Sequence, residues 1–305
     1  MMTATPLHLP QQDVVKGSLY MAIAMAAFVS NDTLVKLLAS ELPVGTLVFI
    51  RGAFASLILL AATAISGNLQ KLPLIFSRDV ALRAGTDVIS TLLFITALVH
   101  MPIGNLTAIV QAAPLVVTAL AAIFLKERVG WRRTAAIMAG FTGVVLITKP
   151  AGDSFDGYSL LPLIVVASVA VRDIITRRIP ATIPVLIVAL ANSLMVVAGA
   201  FVLALVEGGL KIPSIAQALI LGAAGVFLSL GYLFMVNTLR YTDISASASI
   251  RFSVVLWALL SGVLVFGERP DGLAMAGIVL IVGSGIYTLH REAKLKRLRK
   301  NHPAK

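Results

Sequence analysis

The chain has no cysteine and only four histidines, His8, His100, His290 and His302. The first absence excludes disulfides, thiolate nucleophiles and cysteine-based metal sites. None of the histidines lies deep in an apolar run, which argues against a histidine proton relay at membrane depth. Charge is scarce: Asp, Glu, Lys and Arg make up 13% of the residues, about half the share found in a soluble domain. There is no Gly-rich phosphate loop, no GxSxG turn and no cluster of metal-spaced ligands. ATP-driven work by this chain alone is excluded on that ground. A membrane-embedded enzyme lacks its nucleophile, acidic metal motif or catalytic histidine. No cofactor and no metal are implied.

What is present is hydrophobic. Apolar residues make up 58% of the chain, arranged in runs of about 20, each long enough to cross a hydrocarbon core of about 30 Å. Ten spans are predicted, over 17–39, 46–66, 80–99, 103–125, 131–149, 158–178, 183–206, 215–238, 244–266 and 271–290. Open strands cannot cross lipid with unpaired edges, so each span must be a helix. The first run is preceded by a polar segment and is too long for a cleaved signal, so a short lead over 1–16 and an uncleaved first span are expected. Pro43, Pro102, Pro150, Pro180, Pro184 and Pro213 punctuate the connections.

The net charge of +11 is concentrated in short loops and in the tail 291–305. That pattern reads as a membrane-surface end meeting anionic headgroups, not a nucleic-acid site. With the N-terminus cytoplasmic, seventeen of the 25 Lys and Arg fall inside, three outside and five within spans. The positive-inside rule therefore puts both termini in the cytoplasm.

The chain is written twice. PIGNLTAIVQAAPLVVTALAAIFLKERVGWRR at 102–133 is echoed by DISASASIRFSVVLWALLSGVLVFGERPDG at 243–272. Glu127 and Glu268 are 141 residues apart, as are Ser18 and Ser159, Asp32 and Asp173, Pro43 and Pro184, Gly67 and Gly208, and Ile103 and Ile244. One constant spacing through scarce residue types is a duplication signal. The halves are 17–149 and 158–290, joined by an external linker over 150–157. Each holds five spans, an odd number, so the second must enter the membrane from the opposite side. The expected fold is an all-α integral membrane protein of ten transmembrane helices in two inverted five-helix repeats. Such repeats recur in secondary transporters, with the substrate near the midplane between them.

The segments 112–147, with its Lys-Glu-Arg stop at 126–128, and 252–286, with its Gly-Glu-Arg-Pro stop at 267–270, carry a resemblance. Together with the five-plus-five arrangement, they resemble the EamA-type branch of the drug/metabolite transporter superfamily, and within it the bacterial exporters of aromatic amino acids. The resemblance covers nearly the whole chain. It implies a bacterial inner-membrane location and alternating access. It also implies a central cavity lined by the third, fourth, eighth and ninth spans with parts of the first and sixth. One departure is visible: Pro114 in the fourth span corresponds to Val255 in the ninth, so the two copies need not bend alike.

Ionisable residues inside spans are the first candidates, because a charge at depth costs several kcal/mol unless it faces a cavity or a partner. They are Asp32, Lys36, Arg51, Arg83, Asp87, Arg172, Asp173 and Arg251. Asp32 and Lys36, Arg83 and Asp87, and Asp173 and Arg177 are each four apart, on one helical face. Lys36, Arg83 and Arg251 lie near span ends, where snorkelling is the plainer reading. The gating set is expected to be Lys36, Arg51, Arg83, Asp87, Arg172, Asp173 and Arg251. The substrate cavity is expected to draw on Asn31, Asp32, Thr91, Phe94, Gln111, Ser229, Tyr232, Phe252, Ser253 and Trp257. A zwitterionic amino acid needs acceptors, donors and an apolar wall, and this set offers all three. The expected partners are a small-molecule substrate and the lipid bilayer, with the protein a monomer or homodimer. The expected function is export of amino acids or related small metabolites. A permease for drugs, sugar phosphates or nucleobases is the alternative in the same architecture.

Overall fold

A computed structural model describes residues 14–124, 131–149, 157–241 and 249–301. Among these residues the chain forms eleven α-helices, three short 3-10 helices and no strand. The first repeat holds α1 (Val14–Leu37), α2 (Val44–Ile65), α3 (Arg78–His100), α4 (Ile103–Val110), α5 (Ala113–Phe124) and α6 (Trp131–Thr148). The second holds α7 (Leu161–Thr176), α8 (Val185–Val206), α9 (Ile215–Tyr241), α10 (Ser253–Phe266) and α11 (Gly272–Asn301). Six of them, α1, α2, α3, α8, α9 and α11, are each long and apolar enough to cross a membrane.

The predicted count of ten helices is corrected here, because the fourth span is two helices. Pro114 has no N–H to give the carbonyl of Val110 and its ring crowds the preceding turn. The ladder gives way at Gln111 and Ala112, where Ala112 N–H reaches only back to Ile109 O at 2.9 Å. In the second repeat Val255 stands in place of that proline, and the corresponding point is where a 3-10 helix over Ile250–Phe252 passes into α10 at Ser253. α11 continues past its apolar stretch through Arg291 to Asn301 as one helix, into the basic tail. The Lys126–Arg128 stop, most of the 150–157 linker and the start of the ninth span lie outside the described residues.

The duplication is visible in local geometry. Pro43 and Pro184 both stand as the extended residue before a helix, α2 and α8 respectively. Gly67 and Gly208 follow the ends of those helices with φ of 68° and 100°, a left-handed turn that a side chain would strain. The tertiary contacts repeat too. α1 packs on α9 as α7 packs on α3, and α2 packs on α9 as α8 packs on α3. α2 meets α8 and α6 meets α11 directly. Each repeat therefore buries its apolar faces mainly against the other repeat. Lipid tails are as apolar as leucine, so these contacts rest on close packing. Two large clusters of buried side chains, one around Leu47, Leu98 and Leu221 and one around Ile109, Leu115 and Ile281, hold the repeats together.

Two glycine contacts set how closely the repeats approach. A Cβ on Gly143 of α6 would stand 2.6 Å from Gly277 O of α11, and a Cβ on Gly277 would stand 2.6 Å from Gly143 O. A Cβ on Gly45 would meet the backbone nitrogen of Ala204 at 2.5 Å. Across the α6–α11 seam Lys149 also pairs with Asp271, whose carboxylate caps α11 by accepting Ala274 N–H at 2.8 Å. The Lys149 ammonium holds the Asp271 carboxyl below its ordinary range, and the Ala274 N–H adds to the effect.

Because the obstructing atoms are backbone, Gly143→Ala forces α6 and α11 apart. We expect a loss of about 1–3 kcal/mol, the usual cost of overpacking. Gly85→Ala, with nothing within 4 Å of its Cβ, should be close to neutral. Thermal unfolding of both variants in detergent micelles checks this; equal midpoints would remove the assignment.

Candidate functional site

Charged side chains collect at three levels of the bundle. The first lies toward the end where α1 begins. There Asp87 of α3 is buried and accepts from two arginines, Arg172 Nη1 at 3.1 Å and Arg83 Nη1 at 3.3 Å. Arg172 of α7 also donates to its neighbour Asp173, from Nε at 3.1 Å and from Nη2 at 2.9 Å. Arg83 Nε reaches Thr176 Oγ1 at 2.9 Å. Two cations and two carboxylates thus join α3 of the first repeat to α7 of the second. Arg251 approaches from α10's entry, close enough for its charge to act on Asp173 and Arg172. Its backbone carbonyl accepts Gln111 Nε2 at 3.4 Å, from the break between α4 and α5.

The second level lies at the opposite end. Lys36 Nζ donates to Glu268 Oε1 at 2.5 Å and to Met101 O at 2.7 Å. Glu268 Oε2 accepts the N–H of Ile103 at 2.9 Å. That N–H opens α4, where a carboxylate is favoured by the helix dipole as well as by the bond itself. One carboxylate therefore ties α1 and α4 of the first repeat to α10 of the second. Its position depends on Gly267, which ends α10 in the left-handed conformation. Phe266 places its ring 5.2 Å from the Lys36 ammonium.

The third level is between them. Asn31 Nδ2 donates to Asp32 Oδ1 at 2.8 Å, and Asn31 Oδ1 accepts Arg51 Nη1 at 3.4 Å. Arg51 is 4% exposed, and its Nε has no protein partner. Asp32 is only half-buried, so its carboxylate has free acceptor capacity beside a guanidinium with a free donor. Tyr232 of α9 sits across from them. Its ring meets Phe28 edge-on with centroids 5.5 Å apart, and Asp87, Arg83, Arg172 and Arg51 all lie near enough for their charges to act on its hydroxyl. Further buried polar atoms have no protein partner: both side-chain atoms of Asn192, Asn105 Oδ1 and Ser253 Oγ.

The structure brings most of the expected residues together and redistributes their partners. Of the three expected i,i+4 pairs, only Arg83 with Asp87 is formed. Lys36 turns away from Asp32 to Glu268, and Asp173 bonds Arg172 while Arg177 is exposed. Thr91 and Phe94 are half-buried on α3, and Phe94 belongs to the apolar packing. Ser229 bonds Gly225 O at 2.9 Å and Ala55 O at 3.4 Å, a helix-packing role. Phe252 is buried and stands where a Cβ on Gly285 would touch its ring. Trp257 is 39% exposed and makes no ring contact with the central polar group. Glu268 is the residue that sequence reasoning marked as a repeat signature but left out of the site. The available signal was the shortage of other carboxylates near Lys36.

Comparison with known proteins agrees with this architecture. The EamA-like transporter family matches residues 15–149 and 157–289, one stretch for each repeat. A riboflavin transporter of Rhizobium johnstonii is 28% identical over 97% of this chain and 98% of its own length. An S-adenosylmethionine uptake transporter of Rickettsia prowazekii is 25% identical over 91% of this chain and 94% of its own. A pseudopaline exporter of Pseudomonas aeruginosa is 25% identical over 88% and 95%. One solved crystal structure superposes with a TM-score of 0.62 over 90% of this chain and 98% of its own, at 19% identity, a likeness of fold.

Breaking a buried ion pair strands the remaining charge, at a cost of about 3–5 kcal/mol. Lys36 and Glu268 have side chains only 11% and 17% exposed. Glu268→Gln and Lys36→Met should each lower stability by a cost of that kind. The double variant should lose clearly less than the sum, because no charge is left alone. Additive losses in a double-mutant cycle would mean that the two side chains are not coupled.

Proposed function

This chain belongs to the EamA-like transporter family, a multi-pass membrane transporter and not an enzyme, and from that premise we propose that it exports amino acids or related small metabolites by alternating access. The observation that carries the reading is the Arg51–Asn31–Asp32 group. A carboxylate with spare acceptor capacity and a buried guanidinium with an unused donor lie side by side in the middle of an apolar bundle. That arrangement complements a zwitterion: the substrate carboxylate takes the Arg51 donor and the substrate ammonium takes Asp32. Tyr232 and Phe28 supply the wall for an apolar or aromatic side chain. The buried orphan atoms of Asn192 and Ser253 support a polar guest, since each costs about 1–3 kcal/mol when nothing bonds it.

The two ion-pair groups act as gates in this reading. Lys36–Glu268 joins the repeats at one end and Asp87–Arg172 joins them at the other. Opening either is cheap if water replaces the lost bonds as the charges separate, so a closed end can reopen. With the N-terminus cytoplasmic, the Asp87 group closes the inner end and the Lys36 group the outer. The membrane is the inner membrane of a bacterium in this proposal. Residues Arg83, Asp173 and Arg251 support the inner gate. A second reading has an observation of its own. Two of the similar proteins carry riboflavin and S-adenosylmethionine, and the Tyr232–Phe28 pair also suits a flat, ring-bearing cargo.

The test is reconstitution in liposomes with a panel of labelled amino acids, riboflavin and S-adenosylmethionine, with and without a pH gradient. We expect saturable amino-acid flux. Arg51→Gln and Asp32→Asn should each cut it by at least about tenfold, the loss of one charge-assisted bond, at unchanged abundance in the vesicles. Flux of riboflavin or S-adenosylmethionine alone transfers the conclusion to the second reading. Wild-type flux in both variants overturns the placement of the substrate.

A further inference from the structure

A second cavity lies away from the polar centre. It is an open groove between α2 and α8 under the connection that joins α2 to α3, with a volume of about 680 Å³. That connection is a 3-10 helix over Leu69–Phe76. Leu72, Leu74 and Ile75 anchor it by packing on Ile183, Ile187 and Leu190 of the α8 region. The anchored segment roofs one end of the groove. Ala53 and Ser56 form a floor of small side chains, and Leu57 and Leu194 form the two lips.

Three observations define what fits. The first is that the groove is apolar throughout. Its one hydroxyl, Ser56 Oγ, is already bonded to Ser193 Oγ at 2.8 Å, so nothing inside offers a polar partner. The second is where it opens. Leu57 is 65% exposed, Leu194 43% and Phe76 83%; in a multi-pass membrane protein such a surface faces hydrocarbon, where an alkyl chain is the available guest. The third is the charge at the roof. Lys71 precedes the lining residue Leu72 and Arg78 follows Phe76 by two positions. Both are exposed, and neither makes an ion pair among the described residues. Cations just beyond the end of an apolar groove stand where a headgroup phosphate would lie.

We propose that this groove binds one anionic phospholipid, with an acyl chain between α2 and α8 and its headgroup on Lys71 and Arg78. The site is distinct from the substrate site. It shares α2 with Arg51 but lies on the helix's other side, among Ala53, Leu57 and Leu60. A bound chain fills the seam where α2 meets α8, so it acts as a wedge between the repeats.

Native mass spectrometry of the purified full-length protein tests this, titrating phosphatidylglycerol against phosphatidylcholine with identical acyl chains. We expect one saturable adduct, with phosphatidylglycerol favoured by about tenfold, in keeping with two basic side chains at the surface. Lys71→Ala with Arg78→Ala should abolish that preference while leaving the phosphatidylcholine adduct. Ala53→Phe, which fills the floor, should remove the adduct for both lipids. Leu194→Phe, from the opposite wall, repeats the test independently of whether Ala53→Phe folds. The proposal is overturned by a non-saturable series of adducts, or by retention of detergent alone. It is equally overturned by an adduct indifferent to all the variants, or by a protein dimer that the groove variants dissolve.

Discussion

Asp87 of the first repeat and Arg172 of the second have to find each other, because neither can be left alone in a bundle this apolar. A lone charge at membrane depth costs several kcal/mol and a paired one much less. The chain has only 14 Asp and Glu to set against 25 Lys and Arg. Carboxylates are the limiting partner, and those at the two ends of the bundle each take more than one donor. Asp87 accepts from two arginines, Asp173 accepts both nitrogens of Arg172's other edge, and Glu268 takes an ammonium and a helix N-terminus together. The pairs that cross between repeats sit at opposite ends. A charged group with bonding capacity to spare, Arg51 with Asp32, sits between them.

The two repeats have kept their fold and exchanged their charges. Asp32 and Asp173 occupy corresponding positions. Their arginines do not: Arg51 on α2 corresponds to Asn192 on α8, and Arg172 on α7 corresponds to Asn31 on α1. In the first repeat the cation reaches its Asp from another helix through Asn31. In the second the cation is the adjacent residue and also reaches across to Asp87. The symmetry of the backbone therefore carries an asymmetric polar centre. Pro114, which stands against Val255 in the second repeat, adds a further difference between the copies. In the proposed alternating access, a pseudo-two-fold scaffold gives two end states of similar energy, and the unequal side chains make those states chemically different.

Much of this could be read from the residues in order. Length and hydropathy identified the helices, since an apolar run has no other way to cross lipid. The 141-residue spacing identified the duplication, and Pro43, Pro184, Gly67 and Gly208 then appeared as matched helix boundaries. Local pairing was less legible. The i,i+4 rule correctly joined Arg83 to Asp87, since both lie one turn apart on one face of α3. It failed for Asp32 and Lys36 because a closer bargain existed in space: Glu268, 232 residues away in the chain, comes within 2.5 Å of Lys36. What Phe252, expected as an aromatic wall, packs against was not legible either: Gly285, far along the chain, leaves room for its ring.

Helix existence, repeat number and the membrane class follow from composition and periodicity, which act along the chain over a few turns. Those properties were settled before any fold was in view. Which carboxylate meets which cation, which glycines touch, and where a proline turns one span into two helices depend on distances between segments far apart in sequence. Electrostatic and packing energies fall off within a few ångströms, so only the assembled bundle could decide them.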